Sequence, residues 1–354
     1  MPKKINDLLK LMVDRRASDL HISSGATIQI RIDEKLVPID DYILSQEESK
    51  ALSYSMLNEE QIKKFESDLE LDMAFGIKGL GRFRTNVFQQ RGTTCCAIRL
   101  IPYDIWSFEQ CGLPSNVVID LCKKPKGLVL VTGATGSGKS TSLASMIDWI
   151  NKDRNCHIVT IEDPIEFIHS NKKAIVHQRE VYSDTHSFAK AMRHVLRQDP
   201  NIILIGELRD LETIESALII AETGHLVFAT LHTSDCVQTI NRIIDVFPSH
   251  QQQQIRTQLS FVLIGVLSQQ LIPKQGSTGR VLAMEILLSN PALRSLIRES
   301  KAHQVYSVMQ TSQKEGMKTM NQALYELYQK KLITYEDTFA RTTDPDDLAR
   351  IFKK

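Results

Sequence analysis

The sequence predicts an α/β chain of two domains: an α+β domain on an antiparallel sheet, then a larger domain on a parallel sheet with a helical C-terminal part. Three observations predict it. Residues 1–101 place short alternating strands between glycine turns. Beyond residue 113, continuous apolar runs such as "GLVLVTG" (127–133) alternate with helical periodicity, the pattern of βαβ units. The length, 354 residues, suggests about two domains.

Each element has its own signal. Ile5, Leu8, Leu9, Met12 and Val13 share one face of a helix over 5–16. "TIQIRI" (27–32) and "KLVPI" (35–39) alternate as strands around a turn at Asp33–Glu34. A helical stretch follows over roughly 46–67. "LDMAFGI" (71–77), "GRFRTNVFQQRG" (81–92) and "TTCCAIRLIP" (93–102) read as further strands. Pro102 and the irregular segment after it mark a linker over 102–112, leaving 113–354 as the second domain. There the strand at 127–133 leads into a helix carrying Leu143, Met146, Ile147, Trp149 and Ile150. "HIVTIEDP" (157–164), "NIILIGE" (201–207) and "LVFATLH" (226–232) read as strands, and 211–222 and 236–246 as helices. Residues 249–354 read as mainly helical with one strand, "RVLAMEILL" (280–288). "QQQQ" (251–254) is a polar helical face, and there is no internal repeat.

Composition excludes several classes. Hydrophobic residues make 42% and charged residues 24%, as in soluble globular proteins. A net charge of +1 gives no overall field for nucleic acid or an acidic membrane. Apolar runs such as "FVLIGVL" (261–267) fall short of the ~20 residues of a membrane span. Lys10 breaks the N-terminal apolar stretch that a signal peptide needs. The six cysteines form no C-x-x-C pair, so they read as reduced, buried hydrophobes of a cytoplasmic protein.

"GATGSGKST" (133–141) fits G-x-x-x-x-G-K-[ST] in full and sits between a buried strand and a helix. Gly133, Ala134, Thr135, Gly136, Ser137, Gly138, Lys139, Ser140 and Thr141 would turn backbone N–H groups toward nucleotide phosphates, aided by the helix N-terminus. Lys139 would reach the β- and γ-phosphates, and the Ser140 hydroxyl would ligate Mg²⁺. Hydrolysis of ATP further needs acids at the carboxyl ends of the strands, where an open parallel sheet holds its ligand. "IEDPIEF" supplies Glu162, Asp163 and Glu166; "IILIGELRD" supplies Glu207 and Asp210. Glu162 is the candidate to activate the attacking water, and Glu207 to orient Mg²⁺ through water. The alternative for Glu166 and Asp210 is helix capping or pairing with Arg179 and Arg209. His232 follows a strand and would face the γ-phosphate as a sensor, whereas His225 begins the same strand at the far edge. In the first domain, Arg82 and Arg84 share one strand face and Arg99 lies nearby. Such a cluster either edges the sheet in solvent or neutralises a transferring phosphoryl group from another domain or subunit.

These motifs together resemble the secretion-ATPase superfamily of type II secretion and type IV pili, and within it the pilus-retraction branch. The resemblance runs over essentially the whole chain, with "SDLHI" (18–22), "GRFR", "GATGSGKST", "IEDPIEF", "GELRD" and "TGHLVFATLHT" in the family order. It implies a PAS-like N-terminal domain, a RecA-like ATPase domain and a homohexamer. It also implies catalytic roles for Glu162, Glu207 and His232, and an approach of Arg82, Arg84 and Arg99 to the nucleotide. "ALRSLIRES" (292–300) resembles the retraction branch's AIRNLIRE motif, departing at Leu293, Ser295 and Ser300; Arg294, Leu296, Ile297, Arg298 and Glu299 would couple to a partner. The expected partners are an inner-membrane pilus platform protein and a paralogous retraction ATPase, with no nucleic acid. The expected place is the cytoplasm, peripheral at the inner membrane. Assembly and type II secretion motors usually carry a tetracysteine insert, which this sequence lacks. The rivals are an accessory retraction paralogue, a secretion or assembly ATPase, a DNA translocase and a nucleotide-gated binding module with little turnover.

Overall fold

The computed structural model describes residues 4–353, apart from 33, 34, 78, 102, 103 and 277. The expected turn at Asp33–Glu34 and the linker's Pro102 fall outside the described residues. The chain divides into two units, Met1–Asp104 and Ile105–Lys354.

Unit 1 runs α1 (Ile5–Asp14), β1 (Asp19–Ile22), β2 (Thr27–Ile32), β3 (Lys35–Ile43), α2 (Gln46–Tyr54), α3 (Glu59–Asp68), β4 (Glu70–Ile77), β5 (Gly81–Gln90) and β6 (Thr93–Ile101). Its sheet has the order β3-β2-β1-β6-β5-β4, antiparallel throughout. The stretch expected as one helix over 46–67 is two. Asn58 breaks it by taking an extended backbone and capping α3, its side chain accepting from Gln61 N–H. The period of two sends Leu20, Ile22, Ile28, Ile30, Phe83, Val87 and Ile98 into a core that Leu9 and Met12 of α1 and Phe65 of α3 complete. The same period sends Arg31, Asp19, Arg99 and Arg84 to the opposite face as one line of cross-strand partners. Asp19 is its anchor: Arg99 Nε donates at 2.8 Å and Arg31 Nε lies 3.5 Å away. Burial pushes the Asp19 carboxyl up, but bonds from Ser18 and Arg99 and the charges of both arginines outweigh it and hold it below the usual range.

Unit 2 opens with α4 (Phe108–Cys111) and α5 (Ser115–Cys122), then β7 (Gly127–Thr132), α6 (Lys139–Asp153), β8 (His157–Glu162) and β9 (Ile175–Glu180). It continues with α7 (Phe188–Val195), β10 (Ile202–Ile205), α8 (Leu211–Glu222), β11 (Leu226–Leu231), α9 (Cys236–Asp245) and α10 (Ser249–Val262). A hairpin follows, β12 (Leu263–Pro273) and β13 (Arg280–Leu288). Helices α11 (Pro291–Arg298), α12 (Val305–Thr311), α13 (Met320–Gln329), α14 (Tyr335–Arg341) and α15 (Pro345–Phe352) close the chain. The sheet order is β13-β12-β7-β11-β10-β8-β9, parallel except for the β13 edge.

Central strands β7 and β11 are buried throughout, because helices cover both faces. Leu128 and Leu130 enter the core beneath α8 and α10, while Val129 and Val131 enter the core beneath α5 and α6. Phe228, fully buried in the second core, contributes roughly 2–3 kcal/mol. Among the described residues, 249–354 hold two strands, not the single one expected. "FVLIGVL" is split, with Phe261 and Val262 ending α10 and Leu263 starting β12 beside β7. A short apolar run carries no period that separates strand from buried helix, and here the pairing decides. Strand β9 was equally unexpected, its "IVHQRE" being half polar at the sheet edge. Within the segment read as linker, Ser107 caps α4, and Phe108 is buried against Trp149.

Candidate functional site

The loop after β7 is shaped by its glycines. Gly133 has φ +137°, and a Cβ there would lie 2.4 Å from Gln269 O and 2.6 Å from Ser137 Oγ. Only glycine fits, because β12 backs the loop directly. Gly138, with φ +88°, is the N-cap of α6, so the first N–H groups of a fifteen-residue helix point into the loop without intrahelical partners. Lys139, 8% exposed, donates from Nζ to Gly133 O at 2.8 Å and Ala134 O at 3.1 Å. Burial holds its ammonium below the usual lysine range, against the smaller opposing pull of the Glu207 and Glu166 charges. The Ser137 hydroxyl is buried with no partner among the described residues.

The loop forms one wall of a cavity of ≈ 410 Å³ that includes Thr135, Lys139, Ser140, Thr141, Glu162, Glu166, Glu207 and His232. The volume suits a small-molecule ligand. The strand ends bring the acids there. Glu162 is the last residue of β8, and Glu207 follows β10 by two residues. Gly206 packs closely on the neighbouring strand end: a Cβ there would stand 3.2 Å from Ile161 O and 3.3 Å from Glu162 Cα, so a side chain would press on it. Thr230 of β11 ties the turn down, donating from Oγ1 to Gly206 O at 2.5 Å.

Glu162 Oε1 accepts from Thr160 Oγ1 at 2.6 Å and from Gln178 Nε2 at 3.2 Å. Burial pushes its carboxyl up to about 7, against the pull of those two bonds and one from Glu166 N–H. That is the range of a working general base at neutral pH. Glu207 stands in a different setting. Arg209 Nε donates to its Oε2 at 2.8 Å, and His232 Nε2 lies 3.5 Å from its Oε1. Arg209 also lies 3.6 Å from Asp163.

Other expected residues fall elsewhere. Asp210 caps α8, accepting from Thr213 N–H at 2.9 Å, which is the structural role left open for it. Arg179 donates to Asp184 O rather than to either acid cluster. His225 sits at the start of β11, bonded to Ile220 O, at the opposite end of the strand from His232. Arg82, Arg84 and Arg99 belong to unit 1; Arg84 and Arg99 are direct cross-strand partners. In α11 the i, i+4 pair Leu293 and Ile297 is buried, so Ile297 belongs to the core and is no surface for a partner. Arg294 and Glu299 are exposed, and Leu296 and Arg298 half-buried.

Sequence reasoning missed Thr160, Gln178, Phe167 and His169, which surround Glu162 or line the cavity. Thr160 was findable, two residues before Glu162 on one strand face. Gln178 and His169 were not, because only the β8–β9 pairing brings them there.

The donor set fits magnesium nucleotide. One hydroxyl at Ser140 and one carboxylate at Glu207 leave room for phosphate oxygens and water, as Mg²⁺ prefers, and among the described residues no group of three or more His, Cys, Asp or Glu forms a protein-only metal cage.

Comparison with known proteins agrees with this geometry. A family model described as Type II/IV secretion system protein matches residues 1–338. The chain is 46% identical over 343 residues to the type IV pilus retraction ATPase PilT of Pseudomonas aeruginosa, covering 97% of this chain and 99% of the relative. It is 43% identical over 340 residues to a twitching motility protein of Neisseria gonorrhoeae, covering 94% and 91%. A crystal structure of the pilus retraction motor PilT with bound ADP superposes with a TM-score of 0.93 at 50% identity, covering 98% of this chain and 99% of that one. A mixed-sheet α/β architecture, a phosphate loop with two strand-end glutamates, and likeness over almost the full length give one conclusion: the chain belongs to the type II/IV secretion system protein family.

Proposed function

We propose that the chain is a hexameric ATPase motor that powers retraction of type IV pili, and so twitching motility. The observation that carries this is the convergence of Lys139, Glu162, Glu207 and His232 on one cavity, in a chain 46% identical to PilT over 97% of its length. In this reading unit 1 is PAS-like and unit 2 is RecA-like.

The phosphates of ATP would take the N–H groups of 133–141, and Lys139 would exchange the Gly133 and Ala134 carbonyls for β- and γ-phosphate oxygens. Ser140 and, through water, Glu207 would hold Mg²⁺, which neutralises charge on the phosphates when bound. Glu162 takes a proton from water as the water oxygen bonds to the γ-phosphorus; the bond from that phosphorus to the β,γ-bridging oxygen breaks, and ADP leaves with the electron pair. His232, 3.5 Å from Glu207, would sense the departure of the γ-phosphate through that carboxylate. Arg82, Arg84 and Arg99 would reach the phosphates of a site they share with a second domain or subunit, which would couple turnover to movement. The exposed Arg294 and Glu299 and the half-buried Leu296 and Arg298, on α11 and its C-cap, are proposed to couple to an inner-membrane platform protein. A paralogous retraction ATPase is a second proposed partner. Among the described residues no helix is long and apolar enough to cross a membrane, so docking on such a partner would localise the motor at the inner membrane from the cytoplasm.

The test has a biochemical and a cellular arm. Lys139→Ala or Glu207→Ala lowers phosphate release by at least ~10²-fold; normal turnover in either removes the site assignment. A strain carrying Lys139→Ala, like one lacking the chain, accumulates surface pili that do not retract. Loss of surface pili would instead make the chain an assembly motor.

A further inference from the structure

We infer that Gln178, with Thr160, is a positioning residue that sets the orientation of Glu162 and ties the base to the segment that lines the cavity. The inference rests on the reading of Glu162 as the base.

Thr160 and Gln178 are direct cross-strand partners on β8 and β9. From those places both aim at the same atom, Glu162 Oε1, at 2.6 and 3.2 Å. Two donors on one oxygen fix the rotation of the carboxylate, so its other oxygen is presented in one direction. Gln178 does more. Its Nε2 also donates to Phe167 O at 2.8 Å, and its Oε1 accepts from His169 N–H at 2.8 Å. The amide therefore uses both its donor and its acceptor end in one bridge. Phe167 and His169 line the nucleotide cavity on the segment that follows Glu162. One side chain thus holds the base and the cavity wall in register. Glu180, two residues on and buried, anchors the start of the same loop through Ile165 N–H.

The electrostatics point the same way. Glu166 N–H is the third donor to Glu162, and the Glu166 carboxylate opposes ionisation. Thr160 and Gln178 are the side-chain groups that favour the ionised base against its burial. A glutamine serving only the sheet edge would leave the base's titration untouched.

The experiment is steady-state phosphate release by the full chain from about pH 5.5 to 9, with ADP affinity measured beside it, for Gln178→Leu, Thr160→Val and Thr160→Ser. Gln178→Leu and Thr160→Val are expected to lower kcat about tenfold at neutral pH and to move the acid limb of kcat to higher pH, with ADP affinity held within about twofold in Thr160→Val. Thr160→Ser, which keeps the hydroxyl, is expected to keep the wild-type profile. An equal loss at every pH with the limb unmoved overturns the inference, and so does a Thr160→Ser variant that behaves like Thr160→Val. If Gln178→Leu does not fold, the threonine pair decides. Glu162→Gln separates the two claims: wild-type turnover there removes the base assignment itself, whereas a dead Glu162→Gln beside an unaltered Gln178→Leu profile removes only the role of Gln178.

Discussion

Glu162→Gln should abolish turnover and, at the same time, stabilise the fold in a pH-dependent way. The reason is the cost of keeping an ionised carboxylate where burial opposes it. In the unfolded chain the group titrates near 4.5, and in the fold at about 7. Below about pH 4.5 it is protonated in both states and the substitution gains nothing. Between these values the unfolded chain ionises first and wild-type stability falls as pH rises. Above about 7 the difference is complete. Two and a half pH units at 1.36 kcal/mol each is about 3 kcal/mol. This is an upper figure for the glutamine, because its NH₂ must face either Thr160 and Gln178 or the Glu166 N–H, all of which donate to the wild-type carboxylate. Urea unfolding of both proteins at pH 5 and pH 8 measures it. The gain at pH 8 should exceed the gain at pH 5 by roughly 1–3 kcal/mol. Equal differences at the two pH values, or a smaller one at pH 8 than at pH 5, would refute the claim that burial raises this carboxyl.

Two further perturbations test the frame around the site. Gly133→Ala puts a Cβ 2.4 Å from Gln269 O at a φ of +137°, so it should lower ADP affinity at least ~10-fold by calorimetry and cost roughly 1–3 kcal/mol of stability. Glu285, buried at 3% exposure, accepts from Cys236 N–H at 2.8 Å and Met320 N–H at 3.1 Å, the first residues of α9 and α13. Glu285→Ala would leave both helix starts unpaired in the interior and should cost about 2–4 kcal/mol in urea unfolding, with ADP affinity within about threefold of wild type.

The legible part of this protein is the part written locally. Glu162, Glu207 and His232 each stand at or just beyond the end of a strand, Lys139 opens the helix after the β7 loop, and a parallel sheet carries all such ends to one edge. A reader needs only the strand and its direction. What stayed hidden depends on which strands pair. Strand β12 was lost inside an apolar run, and with it the reason Gly133 has no alternative: Gln269 O comes from that strand. Strand β9 was lost among polar residues, and with it Gln178. Ile297 was misplaced for the opposite reason. A motif match names a stretch of sequence, but the i, i+4 spacing with Leu293 is what turns one side of α11 inward.

The arginines of unit 1 show how far the local reading reaches. Periodicity alone puts Arg82 and Arg84 on one face, and the register adds Arg99 directly opposite Arg84. Like charges set side by side are unfavourable unless something offsets them. Asp19 offsets one of them, since its carboxylate holds Arg99 at 2.8 Å with Arg31 behind it. Arg84 and Arg99 are both exposed on this face. For folding alone, a sheet gains little from arginines kept in line there. The register therefore sets Arg84 and Arg99 side by side, and Asp19 is the residue that holds Arg99 in that line.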